Sequence, residues 1–392
     1  MKLKQLPEDF RVEELTDVAP AADGPFALYR LHKVGWTTPD AIQVIARRWN
    51  LRWNQIGYGG LKDRHADTTQ YLTILHGPRR NLSHQRIEVT HLGQAHQPYS
   101  SRDIRANRFA VVLRAVSPGD EAGVLAAVEQ VRRTGVPNYF DDQRFGSVTA
   151  DGRFVARELV FGRFEEALKL ALTAPYEFDR ADEKREKQTL TQHWGDWPAC
   201  KAKLPKGHAR SLVTYLCDHP THFKGAVARL RPELQGLYLS AYQSEVWNRV
   251  LAKWLAANFP PESLGVIRQH RGEQPVPTDV PDPLADRWAN LVIPLPSPRL
   301  KPDPAADYLP HLDAVLAEEG LTLKQLKVPG LDKPFFSKGE RAGCLRPAGM
   351  TADAADDDLN RGKRKLTLRF DLPRGCYATM VVKRVTSSPP AP

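Results

Sequence analysis

Twelve of the chain's 32 prolines fall between Pro260 and Pro310. A proline inside a helix removes a backbone hydrogen bond and clashes with the preceding turn, so that density excludes long helices and predicts an irregular, wrapped segment. The texture on either side differs. Before about residue 150 strands and helices alternate: Asp9–Leu15, Phe26–His32, Thr68–Leu75 and Arg108–Arg114 read as strands by their alternation. Thr38 as N-cap with Pro39 starts a helix through Ile42, Ile45, Ala46 and Trp49, and Asp120–Arg133 forms another that stops at Gly135. Beyond 150 the pattern turns helical. Phe164, Ala167, Leu168 and Ala171 line one helix, Glu177–Lys206 reads as charged helix and loop, and a Ser240-x-x-Gln243 capping box starts a helix with Val246, Trp247, Val250, Leu251 and Trp254 on one stripe. Strand character returns at Lys365–Asp371 and Tyr377–Lys383. The economical architecture is a β-rich domain made from both ends of the sequence and interrupted by a largely helical insertion.

A length of 392 residues favours two domains over one core. The net charge of +10 points to a polyanionic partner, nucleic acid first and an anionic membrane surface second. Four scattered cysteines form no Cys-x-x-Cys pair and no disulfide framework. The N-terminal residues lack the apolar run of a signal peptide, and no window reaches the length of a membrane span, so a reducing cytoplasm is expected.

Two stretches carry candidate chemistry. In Ile56–Gln70, Gly57, Gly59 and Gly60 precede Lys62-Asp63-Arg64-His65. Such glycines permit positive φ or a close approach by another backbone or a ligand, and flanking cations suit a reactive carboxylate. Taken alone the stretch reads as a polar hairpin turn, and it lacks the Gly-Lys-Ser/Thr ending of a phosphate-binding loop. In Asn138–Gly146, Tyr139, Phe140 and Phe145 lie beside Asn138, Gln143 and Arg144. Rings stack on bases, amides read base edges and arginine binds phosphate, though a core turn with buried rings fits the same composition. Metal sites are not expected: Cys217, His219 and His222 lack a fourth ligand at zinc spacing, and the acidic run Asp353–Asp358 reads as a solvated loop.

Together these segments resemble the TruD family of tRNA pseudouridine synthases. Pro7–Glu13 resembles its N-terminal motif, Gly60–Gln70 its catalytic motif and Asn138–Gly146 its central motif. Ala241–Ser244 with Asn248, and Leu372–Thr379, complete five motifs in order. The resemblance implies an α+β fold, with a mixed, mainly antiparallel sheet in a catalytic domain of pseudouridine synthase type, interrupted by a largely helical α/β insertion domain. The divisions expected are 1–152 and 336–392 for the catalytic domain and 153–335 for the insertion. It implies an RNA isomerase acting on a tRNA uridine, customarily position thirteen of the D-arm, as a monomer without cofactor or metal. Asp63 is then the catalytic aspartate, and Phe10, Lys62, Asn138, Phe140, Arg144 and Tyr377 meet the substrate. Two positions depart from the family's pattern: Asp141 stands where Gly is usual, and Cys376-Tyr377 where Ser-Phe is usual. The rival readings are an RNA-binding protein without catalysis and an acid–base nucleic-acid hydrolase using Asp63 and His65.

Overall fold

The computed structural model describes residues 1–176, 179–331 and 333–387. The chain divides into two compact units, Met1–Val136 with the chain from Leu345, and Pro137–Cys344. The divisions fall at 136/137 and 344/345, against the 152 and 335 expected, so the whole segment Asn138–Gly146 belongs to the second unit.

The first unit is built on a ten-stranded sheet. Its main elements are β1 (Phe10–Thr16), β2 (Phe26–Val34), α1 (Thr38–Trp49), β3 (Ile56–Tyr58), β4 (Asp67–Leu75), β5 (Ile87–Ala95), β6 (Ile104–Val116), α2 (Pro118–Thr134), and, after the second unit, β7 (Ala348–Asp356) and β8 (Arg364–Pro373). The strand order is β7-β8-β6-β1-β4-β2-β5 with Leu82–His84 at the edge, while β3 pairs with β4 and Lys2–Leu3 with β6. Only β1 and β4 run parallel, in register Val12↔Thr68; the other pairings are antiparallel.

Alternation sends one face of this sheet into the core. Ala27, Tyr29 and Leu31 of β2 and Leu72 and Ile74 of β4 pack with Ala41, Ile42 and Ile45 of α1. Each large apolar side chain buried this way contributes about 1.5–3 kcal/mol. Further along the same face Phe109 stacks on Phe370 at 5.6 Å and meets Phe10 edge-on at 6.1 Å.

Three local expectations are corrected. The N-cap of α1 is Thr37, whose hydroxyl accepts from the Asp40 N–H at 3.1 Å; Thr38 is already helical and buried, with its hydroxyl used elsewhere. Tyr377–Lys383, expected as a strand, is mostly helix, within Ala378–Thr386. The valines that suggested a strand are placed at helical spacing, with Ala378, Val381, Val382 and Val385 all buried. The acidic run is a solvated loop only in part: it spans the end of β7 and the turn to β8, Asp353, Asp356 and Asp358 are exposed, but Asp357 is buried against Arg114 of β6 at 2.9 Å.

The second unit is largely helical, with two short antiparallel pairs, Leu264–Gln269 with Gly272–Pro277 and Val292–Pro294 with Glu340–Ala342. Its longest helix, α3 (Pro232–Asn258), starts eight residues before the expected Ser240, because Pro232 supplies the first helical position. Gln243 does not cap it; its amide donates to the carbonyls of Pro296 and Ser337 at 2.9 and 2.8 Å. Glu177 and Phe178, the start of the expected charged segment, lie outside the described residues; Ala181–Gln192 and Trp197–Lys203 within it are helices. In the proline-rich stretch the elements are short, with one helix at Asp282–Ala289 and the next, Leu309–Glu319, starting only at its end.

Candidate active site

Residues 59–66 connect β3 to β4 as a long hairpin loop. None of Gly57, Gly59 and Gly60 has a positive φ, so conformational freedom is not their use. Closeness is. A Cβ on Gly57 would lie 2.8 Å from the Tyr99 carbonyl oxygen, and one on Gly59 would lie 2.6 Å from Ile104 Cδ1, whereas Gly60 has open space around it. The glycines press the approach to the loop against the protein's own Tyr99 and Ile104.

Side chains from three elements then hold the loop by its backbone. The Thr38 hydroxyl of α1 accepts from the Lys62 N–H at 2.9 Å and donates to Gln70 Oε1 at 2.8 Å. The Gln70 amide of β4 donates to the Gly60 carbonyl at 3.2 Å. The Lys33 ammonium of β2 donates to the carbonyls of Trp36 at 2.7 Å, Asp63 at 3.1 Å and Lys62 at 3.4 Å. Thr38, Gln70 and Lys33 are all fully buried. Burial lowers the Lys33 ammonium to about pKa 8; the Asp63 charge pulls it upward and Lys62 pushes it further down.

At the loop's tip Asp63 is about half exposed, and its Oδ2 lies 2.8 Å from Lys4 Nζ. The same ammonium sits 4.0 Å above the ring of Phe10, which is 4% exposed. The structure therefore brings Asp63 and Phe10 together through Lys4, a residue that sequence reasoning passed over. Lys62, expected beside Asp63, turns inward instead: its Nζ pairs with Glu14 Oε2 at 2.6 Å, with the Lys62 side chain 9% exposed and Glu14 fully buried. The counter-ion of Asp63 is thus Lys4 rather than Lys62. A buried carboxylate on β1 outcompetes a half-exposed one for the same ammonium, because it has no water to fall back on. Arg64 and His65 are exposed, and Tyr377 is a partly buried N-cap residue of the helix Ala378–Thr386.

The segment Asn138–Gly146 is bound into the second unit. Tyr139 is fully buried and donates to the Pro275 carbonyl at 3.0 Å; Phe140 and Phe145 are each 7% exposed. The Asn248 side chain of α3 clasps the Phe140 backbone at both N–H and C=O, at 2.8 and 2.9 Å. Asn138 is buried: its amide donates to the Ala342 carbonyl at 3.0 Å and its Oδ1 accepts from Arg341 at 2.6 Å. Arg341 lies 4.2 Å over one side of the Phe140 ring and Arg144 lies at 5.4 Å from it; Arg144 is partly exposed and donates to Ser244 Oγ at 3.1 Å. The rings thus pack as a core turn. Asp141, the departure from the family pattern, is 3% exposed and accepts from the Gln269 amide at 3.4 Å, so its charge is turned away from the surface.

Among the described residues no group of three or more His, Cys, Asp and Glu side chains is placed to hold a metal ion. His219 and His222 pack against Tyr215, and the Tyr215 hydroxyl bonds His222 Nδ1 at 2.5 Å. Among the described residues no helix is long and apolar enough to cross a membrane.

Comparison with known proteins places this geometry in a family. A Methanococcus maripaludis protein named "Probable tRNA pseudouridine synthase D 1" is 30% identical over 397 residues, covering 98% of this chain and 99% of that protein. The tRNA pseudouridine synthase D of Aquifex aeolicus is 28% identical, covering 99% of this chain and 98% of its own length. The crystal structure of the "Putative tRNA pseudouridine synthase D (TruD)" from Methanosarcina mazei superposes with a TM-score of 0.74 at 26% identity, over 98% of this chain and 93% of that one, and it shares the α+β fold with its large, mainly antiparallel sheet. The family model for tRNA pseudouridine synthase D (TruD) matches residues 1–385, a span that holds the glycine loop, the Lys4–Asp63 pair and the Asn138 segment alike: the chain belongs to the TruD family.

Proposed function

We propose that the protein is a tRNA pseudouridine synthase with Asp63 as its catalytic group, acting on the uridine at position thirteen of the D-arm. The observation that carries the reading is a half-exposed carboxylate, paired with Lys4, at the tip of a loop whose backbone is held by buried side chains. Catalytic groups gain from such fixed placement, since a misplacement of about 1 Å can cost about a hundredfold in rate.

The reaction breaks the bond between ribose C1′ and uracil N1, turns the base and joins C1′ to C5, while the C5 proton leaves and N1 gains one. It is an isomerisation that consumes no oxidant, nucleotide or metal. An aspartate can serve it by attacking the sugar or the base, or by removing a ribose proton so that a glycal forms. Either route needs the uridine out of its stack, at a few kcal/mol. The ring of Tyr377, and that of Phe10 once Lys4 moves off its face, can return part of that cost, at about 1–3 kcal/mol per stacked base. In the second unit Arg144 is the partly exposed member available to phosphate, while Asn138 and Phe140 hold the shape of their segment. The charge of +10 favours the polyanion as partner.

The test uses the full chain with tRNA carrying tritium at uridine C5. The wild type should release tritium to water, and Asp63→Asn should not. Release by Asp63→Asn at the wild-type rate would overturn the catalytic assignment, and cleaved strands in place of released tritium would make the protein a hydrolase.

A further inference from the structure

Lys33 is a charged group spent entirely on backbone. It stands on β2 in register with Thr68 of β4, is 0% exposed, and among the described residues has no carboxylate within hydrogen-bond distance; its ammonium donates to three carbonyl oxygens, of Trp36, Asp63 and Lys62. Burying an ammonium against neutral acceptors is costly, and a methionine or leucine would fill the same volume without that cost. A stable sheet does not need it, so the return must lie in what the three carbonyls hold. Two of them belong to the reactive residue and its neighbour.

We propose that Lys33 is a positioning residue for Asp63: its ammonium gathers the Lys62 and Asp63 carbonyls so that the carboxylate points outward toward Lys4, and it does so only while it carries its third proton. This rests on the catalytic reading of Asp63. A neutral amine has two N–H donors and a lone pair, so one of the three carbonyls would face a lone pair and be repelled. The charged groups that act on Lys33 are Asp63 and Lys62 of the loop. Lys62 is itself paired with Glu14 of β1, and the contributions of α1 and β4 to the loop's cradle, Thr38 and Gln70, are neutral. With the ammonium already lowered to about pKa 8 by burial, its loss of a proton falls within reach of an ordinary assay.

The experiment is single-turnover tritium release from C5-labelled tRNA between pH 6.5 and 9.5, with tRNA affinity and far-UV circular dichroism measured on the same samples. The wild-type rate should fall above about pH 8 and level off roughly ten- to a hundredfold lower, near the rate of Lys33→Met. Lys33→Met, with unchanged circular dichroism and tRNA affinity, should start roughly ten- to a hundredfold slower at pH 7 and lose that alkaline limb. A folded Lys33→Met with the wild-type rate and profile would overturn the proposal. Should Lys33→Met not fold, the wild-type profile and Lys33→Arg decide: a wild-type rate flat to about pH 9 overturns the proposal, and a fall with a midpoint near pH 8 that Lys33→Arg abolishes supports it. The two readings fail separately. Turnover by Asp63→Asn sinks the catalytic role, whereas a dead Asp63→Asn beside a fully active Lys33→Met sinks only the positioning role.

Discussion

Replacing Lys62 with methionine should destabilise the first unit while leaving the salt dependence of RNA binding untouched. The Lys62 ammonium lies 2.6 Å from Glu14 Oε2, and the pair is almost wholly withdrawn from water. Removing one member leaves the other as an uncompensated buried charge, which costs about 3–5 kcal/mol. In a unit of this size each kcal/mol lowers the melting temperature by about 2–4 °C, so the expected drop is roughly 6–20 °C. Glu14→Gln should cost a similar amount, because it strands the ammonium. The double variant Glu14→Leu/Lys62→Met should recover most of the loss, since paired apolar replacements of a buried ion pair are commonly neutral or stabilising. The assay is thermal melting of all four proteins, with tRNA affinity measured across a salt series. A lost phosphate contact would reduce the slope of log affinity against log salt by about 0.7–0.9. If Lys62→Met melts with the wild type and the slope drops by that amount, then Lys62 is an RNA contact and the buried-pair reasoning is wrong.

The acidic hairpin and the glycines make two further predictions. Arg114 joins Asp9, Asp357 and Asp358 at 2.8, 2.9 and 3.0 Å, so Arg114→Met should cost at least about 3–5 kcal/mol by stranding two buried carboxylates, read by urea unfolding. In the wild type, burial pushes the Asp357 carboxyl up, but N–H groups of Ala115 and Leu359, the Asn360 amide and Arg114 outweigh it and hold it well below the ordinary range; Lys365 and Arg114 hold Asp358 at about 2. The native state therefore binds fewer protons than the unfolded chain in acid. This contribution is complete above about pH 4 and drains away as pH falls toward 2, so acid unfolding should steepen there, and the Arg114→Met curve should be flatter. Gly57→Ala should cost about 1–3 kcal/mol because its Cβ meets the Tyr99 carbonyl, whereas Gly60→Ala should melt within about 0.5 kcal/mol of the wild type.

Where local pattern and tertiary packing agree, the fold was legible. Phe26–Val34 and Asp67–Leu75 alternate because one face meets α1, and Gly135 ends α2 with local cap chemistry, though the start of α2 lies at Pro118 behind a Ser117 cap rather than at Asp120. Tyr377–Lys383 was misread because β-branched residues favour strands in isolation, while packing rewards their helical spacing. Thr37 and Thr38 are both able to cap, and the choice between them was made by Gln70 and Lys62, which recruit the Thr38 hydroxyl. At the candidate site the motif singled out Asp63 for attention, and its exposed position on a held loop could not be read from it. Its supports were not legible either: Lys4 is 59 positions away and Lys33 is 30, and no local spacing encodes a contact created by strand pairing. The inward turn of Lys62 depends likewise on the parallel register of β1 with β4, which places Glu14 next to the loop's root.

The pairing of β6 with β8 also imposes a timetable on synthesis. About 250 residues separate Val116 from its partner Arg364, so at 5–20 residues per second β6 waits roughly 10–50 s for its neighbour. Until then the side of β6 that β8 will occupy is a bare row of N–H and C=O groups, open to wrong partners. The ring of Phe109, which backs Phe10, meanwhile lacks the Phe370 on which it stacks. A nascent chain can therefore carry Asp63 and Lys4 for much of its time on the ribosome without the backing that sets Phe10 beneath them.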